Sequence, residues 1–452
     1  MLDGAKSFQQ FLSRPRCAYT RLIRTTPISV PGRVSMKLAR SFACSLVLAL
    51  VVGVAGAADL SAARPESVGM SSQRLARLTA EMKALSDNGQ LSGVVTMVAK
   101  DGKVVHFEAS GKRDVASGAP MKKDTIFRIY SMTKPITGVA MMMLFEEGKW
   151  QLNDPVSKHI PEFANLKVAK VNPATGAASE VAPDHPMTMR ELMSHIAGLT
   201  YGVFGGTVVD KAYTGVNVMD PDQPMQAMID KLAKIPLLFQ PGERWHYSLA
   251  VDVQGYLVEK LSGKPFPEFL KERIFDPLRM TDTAFYVPAE KMDRFAAFYT
   301  YDKEGKLIAH PSADYTKLPK LPSGGGGLAS TASDYMRFCQ MLLNGGELDG
   351  QRLLSPLTVK LMRTNMLPAS ASTMSPGTGF GLDLAVVEDP AAGGGYGGKG
   401  TYYWGGYAGT WFWIDPVYDL IVVGMIQHRG DGMPDLRGLS RALTYQAIVE
   451  GE

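Results

Sequence analysis

Ser131-Met132-Thr133-Lys134 stands just ahead of an apolar run over residues 136–145 and is the one Ser-x-x-Lys in the 452-residue sequence. The run reads as a helix. On a helix, positions three apart share a face, so the Lys134 amine reaches the Ser131 hydroxyl. A serine hydroxyl is a weak nucleophile until a neighbouring unprotonated amine accepts its proton. A helix start also presents unpaired N–H groups, which suit a developing oxyanion. Alone, the tetrapeptide equally describes a solvated helix face, so its meaning depends on what surrounds it.

Upstream, residues 94–99 and 104–109 alternate apolar side chains about Asp101-Gly102, the pattern of a β-hairpin. Downstream, the periodicity is helical. Thr188-Met189-Arg190-Glu191 forms a capping box opening a short helix that Gly198 can close. Residues 251–261 form an amphipathic helix stopped by Gly263, 265–282 a further helix and turn, and 331–343 a helix ended by Asn344-Gly345-Gly346. Strands return at 379–387, 410–415 and 420–427, the last two joined by a turn at Pro416-Val417-Tyr418-Asp419. A closing helix covers 436–449. The order predicts an α/β (α+β) protein: one antiparallel sheet built from early and late strands and flanked by helices, with an all-helical domain inserted. The expected boundaries are 59–145 and 310–452 for the sheet domain and 146–309 for the helical domain. A cleft between the two is the natural place for a site.

The chain is 45% hydrophobic and 20% charged, an ordinary composition for a large soluble protein. Residues 1–57 hold eight Lys/Arg against Asp3 alone, more than the net +4 of the whole chain, so the remainder is mildly acidic. With no dense basic stripe, nucleic acid is excluded as a partner. Residues 36–58 read as a secretory signal peptide: a basic start at Met36-Lys37-Leu38-Ala39-Arg40, an apolar stretch, and small residues at Ala55-Gly56-Ala57-Ala58. Residues 1–35 read as a disordered upstream extension. The expectation is a periplasmic or secreted protein with no stable membrane insertion after cleavage. Cys17 and Cys44 fall in the removed part, leaving Cys339 as a small buried hydrophobe and no intrachain disulfide.

Ser131 needs an acid for the leaving group and a hole for the oxyanion. Tyr247-Ser248 follows the loop Gln240-Pro241-Gly242-Glu243-Arg244-Trp245-His246. A tyrosine beside a lysine can carry the proton when the cation lowers its pKa. In Trp404-Gly405-Gly406-Tyr407-Ala408-Gly409-Thr410, the glycines let backbone approach a ligand closely.

Taken in order, these pieces resemble the serine β-lactamase and penicillin-binding-protein superfamily, most closely the family VIII carboxylesterases. The matching stretches are Asp124-Thr125-Ile126-Phe127-Arg128-Ile129 leading into Ser131-Met132-Thr133-Lys134-Pro135; Leu192-Met193-Ser194-His195-Ile196-Ala197-Gly198-Leu199; Phe239-Gln240-Pro241-Gly242 through Tyr247-Ser248-Leu249-Ala250-Val251-Asp252; Gly325-Gly326-Gly327-Leu328; and Trp404-Gly405-Gly406. The resemblance implies Ser131 as the acylated nucleophile and Lys134 with Tyr247 as the general base pair. It implies the N–H groups of Ser131 and Tyr407 as the oxyanion hole, and Trp404 as a wall of the acyl pocket. Two departures stand out. Leu249 replaces the asparagine of a Tyr-x-Asn motif, and Trp404-Gly405-Gly406 replaces a Lys-Thr-Gly. Without that lysine, an anionic ligand loses a charge-assisted hydrogen bond typically worth about 1.5–3 kcal/mol, so a neutral ester is expected.

Other strings lead nowhere. Gly393-Gly394-Gly395-Tyr396-Gly397-Gly398 fits G-x-G-x-x-G without the flanking strand and helix, and reads as a loop. Gly438-Leu439-Ser440-Arg441-Ala442 only approaches a nucleophile elbow and lies on the closing helix. The seven histidines lack metal-ligand spacing, so no metal site is expected. His195 is expected to make a structural hydrogen bond, and His246 to point away from Tyr247's side.

The sequence thus predicts a serine hydrolase that cleaves small-molecule carboxylic esters through an acyl-enzyme on Ser131, with no cofactor. The alternatives are a β-lactamase or D-amino-acid peptidase of the same superfamily, an acyltransferase and, remotely, a non-catalytic envelope-binding protein.

Overall fold

Asp101 and Gly102 take positive φ, 51° and 70°, and reverse the chain between β1 (Gly93–Lys100) and β2 (Lys103–Gly111). The computed structural model describes residues 60–171, 178–371, 375–430 and 432–450, so the expected extension (1–35) and signal peptide (36–58) lie outside the described residues. Late in the chain come β3 (Thr378–Phe380), β4 (Ala385–Val387), β5 (Tyr402–Gly405), β6 (Trp411–Asp415) and β7 (Leu420–Met425). Together the strands form one seven-stranded sheet in the order β3-β4-β5-β6-β7-β1-β2, antiparallel throughout. Its hinge is the β1–β7 pair, with Val95 opposite Met425 and Lys100 opposite Leu420.

Side chains alternate across a strand, and here both faces are buried. Val94 and Val98 of β1, Trp411 and Trp413 of β6, and Leu420 and Val422 of β7 enter one core with α1 (Ser72–Asp87) and Leu436 of the C-terminal helix. Val95, Met97, Phe412, Ile414, Ile421 and Val423 enter the other, larger core with α2 (Thr133–Glu146). That is why these strands read as nearly continuous apolar runs. α1, absent from the sequence reading, is capped by Ser71, whose hydroxyl accepts from Arg74 N–H at 3.3 Å. It buries Leu75, Leu78, Met82 and Leu85 along one stripe, each worth about 1.5–3 kcal/mol relative to exposure.

α2 is buried on every side from Thr133 to Leu144, as an apolar central helix must be. The middle of the chain is largely helical, including α3 (Met189–Met193) and α4 (Ala250–Ser262). It is not all-helical as expected, for it also carries two antiparallel strand pairs, Val168–Val171 with Ala178–Val181 and Tyr299–Tyr301 with Leu307–Ala309. α5 (Ala332–Leu343) and α6 (Leu436–Tyr445) complete the elements used below. Among the described residues, no helix is long and apolar enough to cross a membrane.

Three boundaries differ from expectation. Residues 379–387 form not one strand but the β3–β4 hairpin, reversed where Asp383 takes φ 61°. α3 does carry the Thr188–Glu191 capping box but ends at Ser194, not at Gly198. Gly198 (φ 84°) instead lets the chain pass Phe239, whose carbonyl oxygen would lie 2.5 Å from any Cβ there. Finally, the closing helix α6 ends at Tyr445 rather than at residue 449.

Candidate active site

Ser131 owes its position to a short strand and a forced turn. Phe127–Arg128 pairs with Ala329–Ser330, and Ile129 N–H donates to Leu328 at 3.0 Å. Tyr130 then takes φ 42°, a conformation that costs a non-glycine residue about 1–3 kcal/mol. This sharp corner sets Ser131 in a single 3₁₀ turn, Tyr130–Met132, at the head of α2. Lys134 lies in the first turn of α2 with none of its surface exposed. A buried amine requires hydrogen-bond partners. Lys134 Nζ has three: Ser131 Oγ at 3.2 Å, Tyr201 Oη at 2.8 Å and the Gly325 carbonyl at 2.6 Å.

Tyr247 comes from a distant loop, yet its phenol donates to Ser131 Oγ at 2.7 Å. The Trp404 indole N–H donates to the same phenol oxygen at 3.3 Å. Lys134 Nζ sits 4.7 Å from the centre of the Tyr247 ring. The ring is held by its neighbours: Trp245 stacks on it at 6.0 Å, while His195, Tyr201 and Trp404 surround it at 5.0, 5.2 and 5.4 Å. Little freedom remains to the phenol once these rings are packed.

Two groups near Lys134, Tyr201 and Asp252, were not assigned from sequence. Tyr201 shares the lysine's amine. Its phenol is pushed well above the usual tyrosine pKa by burial, with Tyr247 and Asp252 adding to the effect, so it stays neutral. Asp252, buried in α4, accepts from Ser323 Oγ at 2.5 Å and Gly325 N–H at 3.0 Å. It thereby fixes the loop whose Gly325 carbonyl meets Lys134. Burial raises the Asp252 pKa, and the Lys134 charge opposes that rise. Asp252→Ala should release this loop and lower kcat/KM about 10- to 100-fold, whereas Asp252→Asn, which keeps an accepting oxygen, should recover most of the loss. Parallel ester kinetics and thermal melts of the two variants check this. Equal loss in both variants would mean that the accepting oxygen is not what matters.

The glycines of the β5 end permit close approach of backbone. A Cβ on Gly406 would lie 2.4 Å from the Ile129 carbonyl oxygen. The chain carrying Tyr407 is thus pressed against the turn carrying Ser131. The rings of Tyr130 and Tyr407 meet edge-on at 5.3 Å. Ser131, Tyr247, Trp404, Gly405, Gly406 and Tyr407 all line a single cavity of about 610 Å³, in the range of small-molecule sites. A second, largely apolar cavity of about 370 Å³, around Phe285 and Met280, contains none of these groups.

All seven site residues picked from sequence therefore meet at one place: Ser131, Lys134 and Tyr247 by direct hydrogen bonds, the other four in the surrounding wall. His195 Nδ1 pairs with Ser248 Oγ at 3.0 Å, and burial, then the Lys134 and His246 charges, drive its pKa well below the histidine norm. It supports the Tyr247 segment without touching Ser131. His246 turns to Thr200 Oγ1 at 3.2 Å. Leu249 is fully buried in the larger core and presents nothing to the cavity. The glycine-rich 393–398 segment lies in turns between β4 and β5.

The Beta-lactamase family profile matches residues 78–446. An uncharacterized protein of Mycobacterium tuberculosis is 40% identical over 367 residues, covering 78% of this chain and 90% of its own. Esterase EstB of Burkholderia gladioli is 32% identical, covering 79% of this chain and 92% of its own. Among solved structures, EstCE1, described as a hydrolase with promiscuous acyltransferase activity, superposes with a TM-score of 0.72 at 29% identity, covering 82% of this chain and 99% of its own.

Proposed function

From the premise that this chain belongs to the Beta-lactamase family, we propose that it is a serine carboxylesterase acting on small-molecule esters through an acyl-enzyme on Ser131. One observation carries the reading: Ser131 Oγ lies within hydrogen-bond reach of both Tyr247 Oη (2.7 Å) and Lys134 Nζ (3.2 Å) at the edge of an open cavity. The esterase relatives support it.

Ser131 Oγ attacks the ester carbonyl carbon while its proton passes to the Tyr247–Lys134 pair. Negative charge collects on the former carbonyl oxygen, which rests on the N–H groups of Ser131 and Tyr407. Each such donor is typically worth about 10²–10³ in rate. Collapse of this intermediate breaks the C–O bond to the alcohol, and the alkoxide leaves with a proton delivered through Tyr247. Water then attacks the acyl carbon, giving its proton to the same pair, and Ser131 is regenerated as the acid departs. An alcohol in place of water would make the enzyme an acyltransferase, a second reading favoured by the likeness to EstCE1. A panel of ester, amide and lactam substrates, quenched for mass spectrometry, tests the proposal. An acyl adduct on the peptide containing Ser131, formed from esters, is expected; rapid ester turnover with the adduct elsewhere would overturn it.

A further inference from the structure

The missing Lys-Thr-Gly lysine leaves the sequence expecting a neutral substrate, but the fold returns a cation from another element. Arg437, in the first turn of α6, lines the Ser131 cavity and is its one charged lining residue among those described. The guanidinium lies against β5: a Cβ on Gly405 would come within 2.1 Å of Arg437 Nη2. A glycine at 405 is what leaves it room. Arg437 has no ion-pair partner among the described residues. The neighbouring acid, Asp435, acts on Arg437 through its charge but beyond ion-pair distance, its carboxylate capping α6 by accepting from Gly438 N–H at 2.9 Å. A second guanidinium, Arg429, stacks over Tyr407 with its central carbon 4.1 Å from the ring centre, and it too lacks an acidic partner among the described residues. The wall beside Tyr247 is of a different kind. There Val203 and Phe204 are 67% and 61% exposed and offer no charge.

A guanidinium fork without an ion pair, in the same cavity as a reactive serine, matches a carboxylate in shape and charge. We propose that Arg437 is a specificity-determining residue that selects esters carrying a carboxylate on the part of the substrate lying along Gly405 and Gly406. This rests on the esterase reading above and adds to it a substrate class. The apolar remainder of such a substrate would lie toward Val203 and Phe204.

Two matched pairs of esters test this with the whole protein. In one the carboxylate is on the acyl side: mono-4-nitrophenyl adipate against its methyl ester. In the other it is on the alcohol side: 3-(butanoyloxy)benzoate against its methyl ester. In at least one pair the anionic member should have the higher kcat/KM. In Arg437→Ala the anionic-to-neutral ratio for that pair should fall about 10- to 100-fold, mainly through KM, and 1 M salt should compress the wild-type ratio. Arg437→Lys should keep part of the preference. A ratio unchanged in Arg437→Ala, or a wild type that prefers the neutral member of both pairs, overturns the assignment while leaving the esterase reading intact. A wild type that cleaves none of the four esters and does not react with a fluorophosphonate at Ser131 sinks both.

Discussion

Ser131→Ala is expected to lower kcat/KM for 4-nitrophenyl butyrate by about 10⁴-fold or more, because no other group can form the acyl-enzyme. The variant should remain folded. Lys134 keeps the Tyr201 phenol and the Gly325 carbonyl as partners, and Tyr247 keeps the Trp404 indole. The lost hydroxyl should therefore cost about 1 kcal/mol of stability, readable as a small shift in a thermal melt. Residual turnover above about 1% of wild type, in protein free of contaminating esterase, would remove Ser131 from its role.

Tyr247→Phe should lower kcat by about 10²–10⁴-fold, the range for a lost general acid–base group. The substitution is a clean probe because the ring stays in its aromatic surround while one oxygen is deleted. That oxygen alone joins Ser131 Oγ and the Trp404 indole. Stopped-flow acylation with a nitrophenyl ester separates the steps: both the burst and the steady state should slow. A burst at the wild-type rate would assign proton removal to Lys134 alone and leave Tyr247 only a part in deacylation.

Legibility in the sequence followed the range over which each feature is encoded. Ser131 and Lys134 were readable because three residues of helix suffice to bring them together. The Asp101-Gly102 hairpin was readable because its turn chemistry is local. Tyr247 and Tyr407 were placed by the order of the motifs, which stands in for contacts that spacing cannot show. Tyr201 and Arg437 carried no such mark. Tyr201 merely follows a matched stretch, and Arg437 sits in a helix whose pattern speaks only of packing. The contact of Tyr201 with Lys134 and that of Arg437 with Gly405 arise only where segments distant in sequence meet. The β3–β4 reversal was misread because its run from Gly379 to Val387 lacks a turn dipeptide, and Asp383 makes the bend by adopting a left-handed conformation.

The pairing of β1 with β7 has a consequence for synthesis on the ribosome. Val95 cannot meet Met425 until everything between them has been made, so the sheet closes late, and contacts this distant in sequence slow folding. Until then β1 presents an open, apolar edge to other chains, and Ser131 waits without the β5 end that completes its surroundings. A product cut short before β7 would therefore be inactive and prone to clump, because catalytic competence needs the late strands.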